Sequence, residues 1–137
     1  MRKIFLDTNI LIDILTERDS RTVSLKEVLP YIQYSRIYLS ALSIHIAFYT
    51  LKIKSESSIH RKILEITKYI NIVGLSDEIT KNSLQNFSID FEDTLQYYSA
   101  IDQKCDYILT RDTKDFDKLK KKMPSNIQII DTLNSIL

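Results

Sequence analysis

Five short apolar runs alternate with stretches of helical spacing, and this alternation constrains the fold more than any other feature of the chain. The runs predict strands near 3–7, 36–40, 70–74, 106–110 and 127–130. Their apolar residues are consecutive (Ile4-Phe5-Leu6, Tyr107-Ile108-Leu109), as strands covered on both faces require. Between them, helical spacing predicts helices at about 8–17, 21–34, 41–54, 58–69, 77–87, 91–104 and 131–137. Ser57 or Ser58, Ser76 and Asp90 are suited to cap three of these, and Pro124 breaks the pattern before the last strand. Strands that alternate with helices build a parallel α/β sheet. With 137 residues and no repeats or low-complexity segments, the expectation is a single domain over 1–137 with a sizeable core.

Composition removes several function classes. Nineteen basic residues against eighteen acidic ones give a net charge of +1, so nucleic-acid binding would need a local patch or a metal rather than bulk charge. The single glycine, Gly74, leaves no glycine-rich phosphate loop. The lone Cys105 forms no internal disulfide framework and suits a reducing cytoplasm, most simply as a small core residue. No signal-peptide pattern or long apolar span points to a membrane. The run Lys118, Lys120, Lys121, Lys122 reads as a solvated surface turn or as a phosphate contact.

The chemistry lies in the carboxylates. Asp7 ends the first strand, at the sheet edge where open parallel sheets bind ligands; it could equally cap the helix that follows. Asp112 comes just past the fourth strand, in Leu109-Thr110-Arg111-Asp112. Asp93 lies in the first turn of the helix leading into that strand, where it is either a capping-box residue behind Asp90 or a group directed at the same edge. Two carboxylates 4 Å apart repel by about 4 kcal/mol at an effective dielectric near 20. A domain stable by only about 5–15 kcal/mol does not gather three of them without compensation. A divalent cation provides it, and oxygen ligands without clustered His or Cys select Mg²⁺ or Mn²⁺ over zinc. The two histidines, His45 and His60, have no metal-ligand spacing.

Leu6-Asp7-Thr8-Asn9-Ile10-Leu11, Phe91-Glu92-Asp93-Thr94-Leu95 and Leu109-Thr110-Arg111-Asp112, with Tyr38-Leu39-Ser40-Ala41-Leu42-Ser43-Ile44, resemble in order the motifs of PIN domains over almost the whole chain. The resemblance implies a three-layer α/β/α sandwich with a central, mostly parallel sheet. It implies a Mg²⁺- or Mn²⁺-dependent ribonuclease, commonly a VapC-type toxin that forms homodimers and is held by a cognate antitoxin. It assigns Asp7, Asp93 and Asp112 to metal and catalysis, with Asn9 and Thr110 in support. RNA would be the substrate, and Arg111 would steer its backbone.

One position departs from the family. Counting from Tyr38-Leu39-Ser40, an acid, usually Glu, falls near Ile46, and no carboxylate stands anywhere from Ile37 to Ile53. His45 is the adjacent candidate for a substrate contact, although successive helix positions are rotated by roughly 100°. Glu92, Asp115 and Asp117 are further candidates for the missing charge; the latter two read more simply as solvated turn residues. The departure keeps open a second class of function, a catalytically impaired PIN-like module that binds RNA or protein. Tyr31, Tyr34, Phe48 and Tyr49 are candidates for an apolar surface or for the core. Phosphatases of the haloalkanoate dehalogenase type need a second Asp where Asn9 stands, and the order of acids does not fit response-regulator receivers.

Overall fold

A computed structural model describes residues 1–17, 25–87 and 90–136. The order is β1 (Arg2–Leu6), α1 (Thr8–Thr16), α2 (Leu25–Ile32), β2 (Ser35–Ser40), α3 (Ala41–Leu51), α4 (Ser58–Thr67), β3 (Asn71–Val73), α5 (Asp77–Asn86), α6 (Phe91–Asp102), β4 (Tyr107–Leu109), α7 (Thr113–Lys122) and β5 (Gln128–Ile130), closed by a 3-10 turn at Leu133–Ile136. The expected helix over 21–34 is present from Leu25; its residues 21–24 lie outside the described residues.

The strands form one sheet in the order β3-β2-β1-β4-β5, every neighbouring pair parallel, so the expected "mostly parallel" sheet is parallel throughout. Phe5 stands level with Tyr38 and Ile108, and Leu6 with Leu39 and Leu109. Because side chains alternate along a strand, these rows separate into two cores. Ile4, Leu6, Ile37, Leu39 and Leu109 pack with residues of α1 to α4. Phe5, Tyr38 and Ile108 pack with Ile79 of α5, Leu95 and Tyr97 of α6, and Phe116 of α7. The result is the three-layer α/β/α sandwich. Each fully buried Leu, Ile or Phe contributes about 1.5–3 kcal/mol, and β1 supplies such residues to both cores.

Helix ends follow the sequence closely. Ser57, Ser76 and Asp90 cap α4, α5 and α6 through their side chains. With glycine almost absent, the left-handed C-caps of α1 and α3 fall on Glu17 and Lys52. Within the expected final helix over 131–137, Leu133–Ile136 form a 3-10 turn instead, and residue 137 lies outside the described residues. Thr132 explains the change: its Oγ1 accepts the Asn134 N–H and its carbonyl accepts the Ser135 N–H, both at 3.3 Å. That tightens the turn and buries Leu133 and Ile136 together.

The basic run also differs from expectation. It lies within α7 rather than in a loop, with Lys120, Lys121 and Lys122 in the last turn, where cations complement the negative end of the helix, and Lys122 Nζ donates to the Asn86 carbonyl. Cys105 is buried and its thiol is pushed up to about 12 by desolvation, as an inert core residue would be. Tyr34 and Tyr49 are exposed, whereas Tyr31 and Phe48 pack against the core. Among the described residues, no helix is long and apolar enough to cross a membrane.

From β1 the chain builds outward through β2 and β3, then returns to the opposite side of β1 with β4. The direction of winding therefore reverses between β1 and β4. Parallel sheets open a crevice outside the carboxyl ends of such a strand pair.

Candidate metal centre

That crevice is where the acids meet. One carboxylate oxygen each from Asp7, Asp93 and Asp112 lies within 4.8 Å of the others. Asp7 leaves β1 with its N–H donating to the Leu109 carbonyl of β4 at 3.0 Å, which seats it over the crevice. Asp93 enters from the first turn of α6. Asp112 occupies the N-cap position of α7 but makes no side-chain capping bond, so its carboxylate remains available.

The competing cap readings resolve by atom. Asp7 Oδ1 accepts the N–H of Thr8, the immediately following residue, at 2.8 Å, not the N2 or N3 group that a helix cap ordinarily takes. Its Oδ2 accepts from Thr110 Oγ1 at 2.8 Å. In α6 the cap is Asp90, whose Oδ1 accepts the Asp93 N–H at 3.0 Å; Asp93 lends its backbone to the cap and its carboxylate to the crevice.

Thr110 and Asn9 bond to the segments that carry the acids. Fully buried Thr110 donates to Asp7 and accepts the Asp112 N–H at 2.9 Å, so one hydroxyl spaces two of the acids. Asn9 Oδ1 accepts the Arg111 N–H at 3.4 Å, joining α1 to the segment that carries Asp112. Arg111 itself is engaged: its Nε lies 3.1 Å from Oδ2 of Asp13, a buried acid of α1. Asp13 had one signal in the sequence, a lone charge inside the apolar helix Ile10-Leu11-Ile12-Asp13-Ile14-Leu15. His45 is exposed on α3 and does not line the crevice. His60 accepts the Glu56 N–H through Nδ1 and meets the Phe48 ring edge-on, a local structural role.

The remaining lining explains the electrostatics. Asp90, Glu92 and Asp115 join the three converging acids, with Thr8, Asn9, Ile12 and Ile46 completing the wall. The residue at the departing position thus lines the same crevice as the acids, and it is apolar. Burial, ahead of any neighbouring charge, raises Asp7 from 3.8 to about 6. Desolvation followed by the charges of Asp7, Asp90, Asp112 and Glu92 raises half-buried Asp93 from 3.8 to about 8. Three helix amino ends converge here, each worth about 0.3–1 kcal/mol to a nearby anion.

The donor set is therefore all oxygen, and the acids cannot all ionise near neutral pH without a counter-charge. This fits a hard divalent cation, for which Asp7, Asp93 and Asp112 each offer a ligand oxygen. Thr110→Val removes the hydroxyl that spaces Asp7 from Asp112 while keeping its volume. It is expected to weaken Mn²⁺ binding about tenfold by calorimetry, the usual scale for an outer hydrogen bond to a ligand.

The sequence model of the PIN domain matches residues 3–114. No curated protein matches the chain. Among solved structures, VapBC2 from Rickettsia felis, bound to a DNA fragment from its promoter, superposes with a TM-score of 0.70 at 17% identity, covering 94% of this chain and 99% of that one. A toxin–antitoxin complex from Klebsiella pneumoniae aligns with a TM-score of 0.63 at 19% identity over 91% of this chain and 95% of that one. VapC20 from Mycobacterium tuberculosis, a sarcin–ricin loop cleaving toxin, aligns with a TM-score of 0.63 at 10% identity, covering 85% and 94% respectively. At these identities the likeness speaks for the fold.

Proposed function

Because the chain belongs to the PIN domain family, we propose that it is a Mg²⁺- or Mn²⁺-dependent endoribonuclease acting as the toxin of a type II toxin–antitoxin pair. The observation that carries this reading is the convergence of Asp7, Asp93 and Asp112 within 4.8 Å at the switch point of the sheet. Bound there, a divalent cation supplies Lewis-acid activation of water and neutralises charge developing on a phosphodiester. The chain's own residues do the rest. Asp7, Asp93 and Asp112 hold the cation, Thr110 fixes the spacing of Asp7 and Asp112, and Asn9 ties down the Arg111–Asp112 segment. A crevice lined by six carboxylates repels a polyanion, so RNA reaches it only once that charge is neutralised. Single-stranded RNA, whose backbone and bases are open, is the substrate class this favours.

In this reading the domain spans 1–137, works in the cytoplasm as a homodimer, and is restrained by a cognate antitoxin. The toxin–antitoxin complexes among its structural neighbours support the antitoxin partner.

A second reading, an impaired PIN-like module that binds RNA or protein, is favoured by the apolar Ile46 in the crevice wall. RNA cleavage assayed with Mn²⁺ separates the two. Turnover by the natural chain supports the nuclease. An inactive natural chain that gains cleavage of at least about tenfold on Ile46→Glu supports the impaired module, since an added acid ligand lowers the barrier by at least about 1.4 kcal/mol.

A further inference from the structure

Beneath the acids lies a buried polar cluster that the metal reading does not use. Gln96 of α6, Thr8 of α1 and Ser43 of α3 are 0%, 5% and 0% exposed. Gln96 Nε2 donates to Thr8 Oγ1 at 3.1 Å and to Ser43 Oγ at 3.0 Å, and the two hydroxyls are 2.7 Å apart. Thr8 itself lines the crevice, and Gln96 and Ser43 each stand one helical turn from a residue that lines it. Gln96 follows Asp93 by three positions on α6, Ser43 precedes Ile46 by three on α3, and Thr8 donates its N–H to Asp7 Oδ1. Residues three apart share a helix face, so the cluster joins the three helices just below the site.

We propose that Gln96, acting through Thr8 and Ser43, is a positioning residue that holds α6 and α1 at the separation Asp7 and Asp93 need to share one cation. The hydrogen-bond inventory supports this. One hydroxyl donates to the other, and each hydroxyl oxygen also accepts one of the two amide hydrogens of Gln96. The reverse amide orientation would leave a buried NH₂ unfilled. The arrangement has a cost, because the buried Gln96 Oε1 has no hydrogen-bond partner among the described residues. A core selected only for packing would place Leu or Met here and avoid that orphan. A glutamine retains the donor pair that an apolar side chain lacks.

This role rests on the metal centre described above, and Mn²⁺ alone is the probe. Gln96→Met and Ser43→Ala each weaken Mn²⁺ binding about tenfold or more by calorimetry. Ser99→Ala is the control, since it deletes another buried hydroxyl of α6, one that bonds only within the helix to the Leu95 carbonyl; it leaves the affinity within about twofold of the natural chain, below the tenfold expected for an outer hydrogen bond to a ligand. If Gln96→Met does not fold, Ser43→Ala carries the comparison. Unchanged affinity in the folded variants, with the natural chain binding Mn²⁺, overturns the positioning role and leaves the metal centre standing. Equal weakening by Ser99→Ala overturns it too, as generic loosening of α6. Absence of Mn²⁺ binding by the natural chain overturns the metal centre and this role with it.

Discussion

Asp7→Asn is expected to remove Mn²⁺-dependent RNA cleavage, by on the order of 10²–10³-fold, while the fold is retained. The magnitude is the one found when a single preorganised electrostatic group is deleted from an active site. The fold survives because Asn is nearly the same size and its amide oxygen can still accept the Thr8 N–H that Asp7 Oδ1 now takes at 2.8 Å. The charge does not survive. The amide NH₂ would face Thr110 Oγ1, which now donates to Oδ2 at 2.8 Å, so the hydroxyl must turn and its bond to the Asp112 N–H is disturbed. One substitution thus removes a ligand and loosens the spacing of a second. Cleavage of single-stranded RNA, followed beside a thermal melt, checks both halves of the expectation. Equal cleavage by the natural chain and Asp7→Asn rules out the metal-dependent nuclease.

The parts of this site legible in the sequence are those fixed by strand ends. Asp7 and Asp112 follow strands that can be read from consecutive apolar residues, and Asp93 follows a helix start marked by Asp90. The alternation of runs was enough to bring these acids to one sheet edge. What joins them was not legible, because it depends on pairs distant in sequence. Gln96 meets Thr8 across 88 positions and Ser43 across 53, and Arg111 meets Asp13 between elements that no local pattern connects. A glutamine within a helical stripe signals nothing until its neighbours are known. The crevice-lining placement of Ile46 is the reverse case: counting from the second strand located it, and only the fold shows that it lines the same crevice as the acids. The last element was misjudged because Thr132 sets a turn locally, and four residues are too few for an α-helical nucleus to compete.

The acids also make stability depend on pH in the direction opposite to most carboxylates. Burial raises Asp7 from 3.8 to about 6, and burial with neighbouring charge raises Asp93 from 3.8 to about 8. Between the unfolded and folded values, the folded chain holds protons that the unfolded chain has released. These groups therefore favour folding most below about pH 4, and that contribution falls as pH rises. For Asp7 the loss amounts to about 3 kcal/mol by pH 6 and above. Asp93 extends the decline to about pH 8, with its share reduced by solvent screening at a half-buried site. Metal-free protein in a chelator is accordingly expected to melt about 10 °C higher near pH 5 than near pH 8. Mn²⁺ at a hundred times its Kd restores about 2.7 kcal/mol at pH 8, and less at pH 5, where binding must displace protons. Asp93→Asn separates ligand from cap: it raises the pH 8 melting temperature of metal-free protein, flattens the pH profile and removes most of the Mn²⁺ increment. Circular dichroism melts at the two pH values measure all three effects. If Asp93→Asn instead lowers the metal-free melting temperature, the Asp93 carboxylate stabilises the start of α6, and the repulsion that calls for a cation is not the dominant force at this edge.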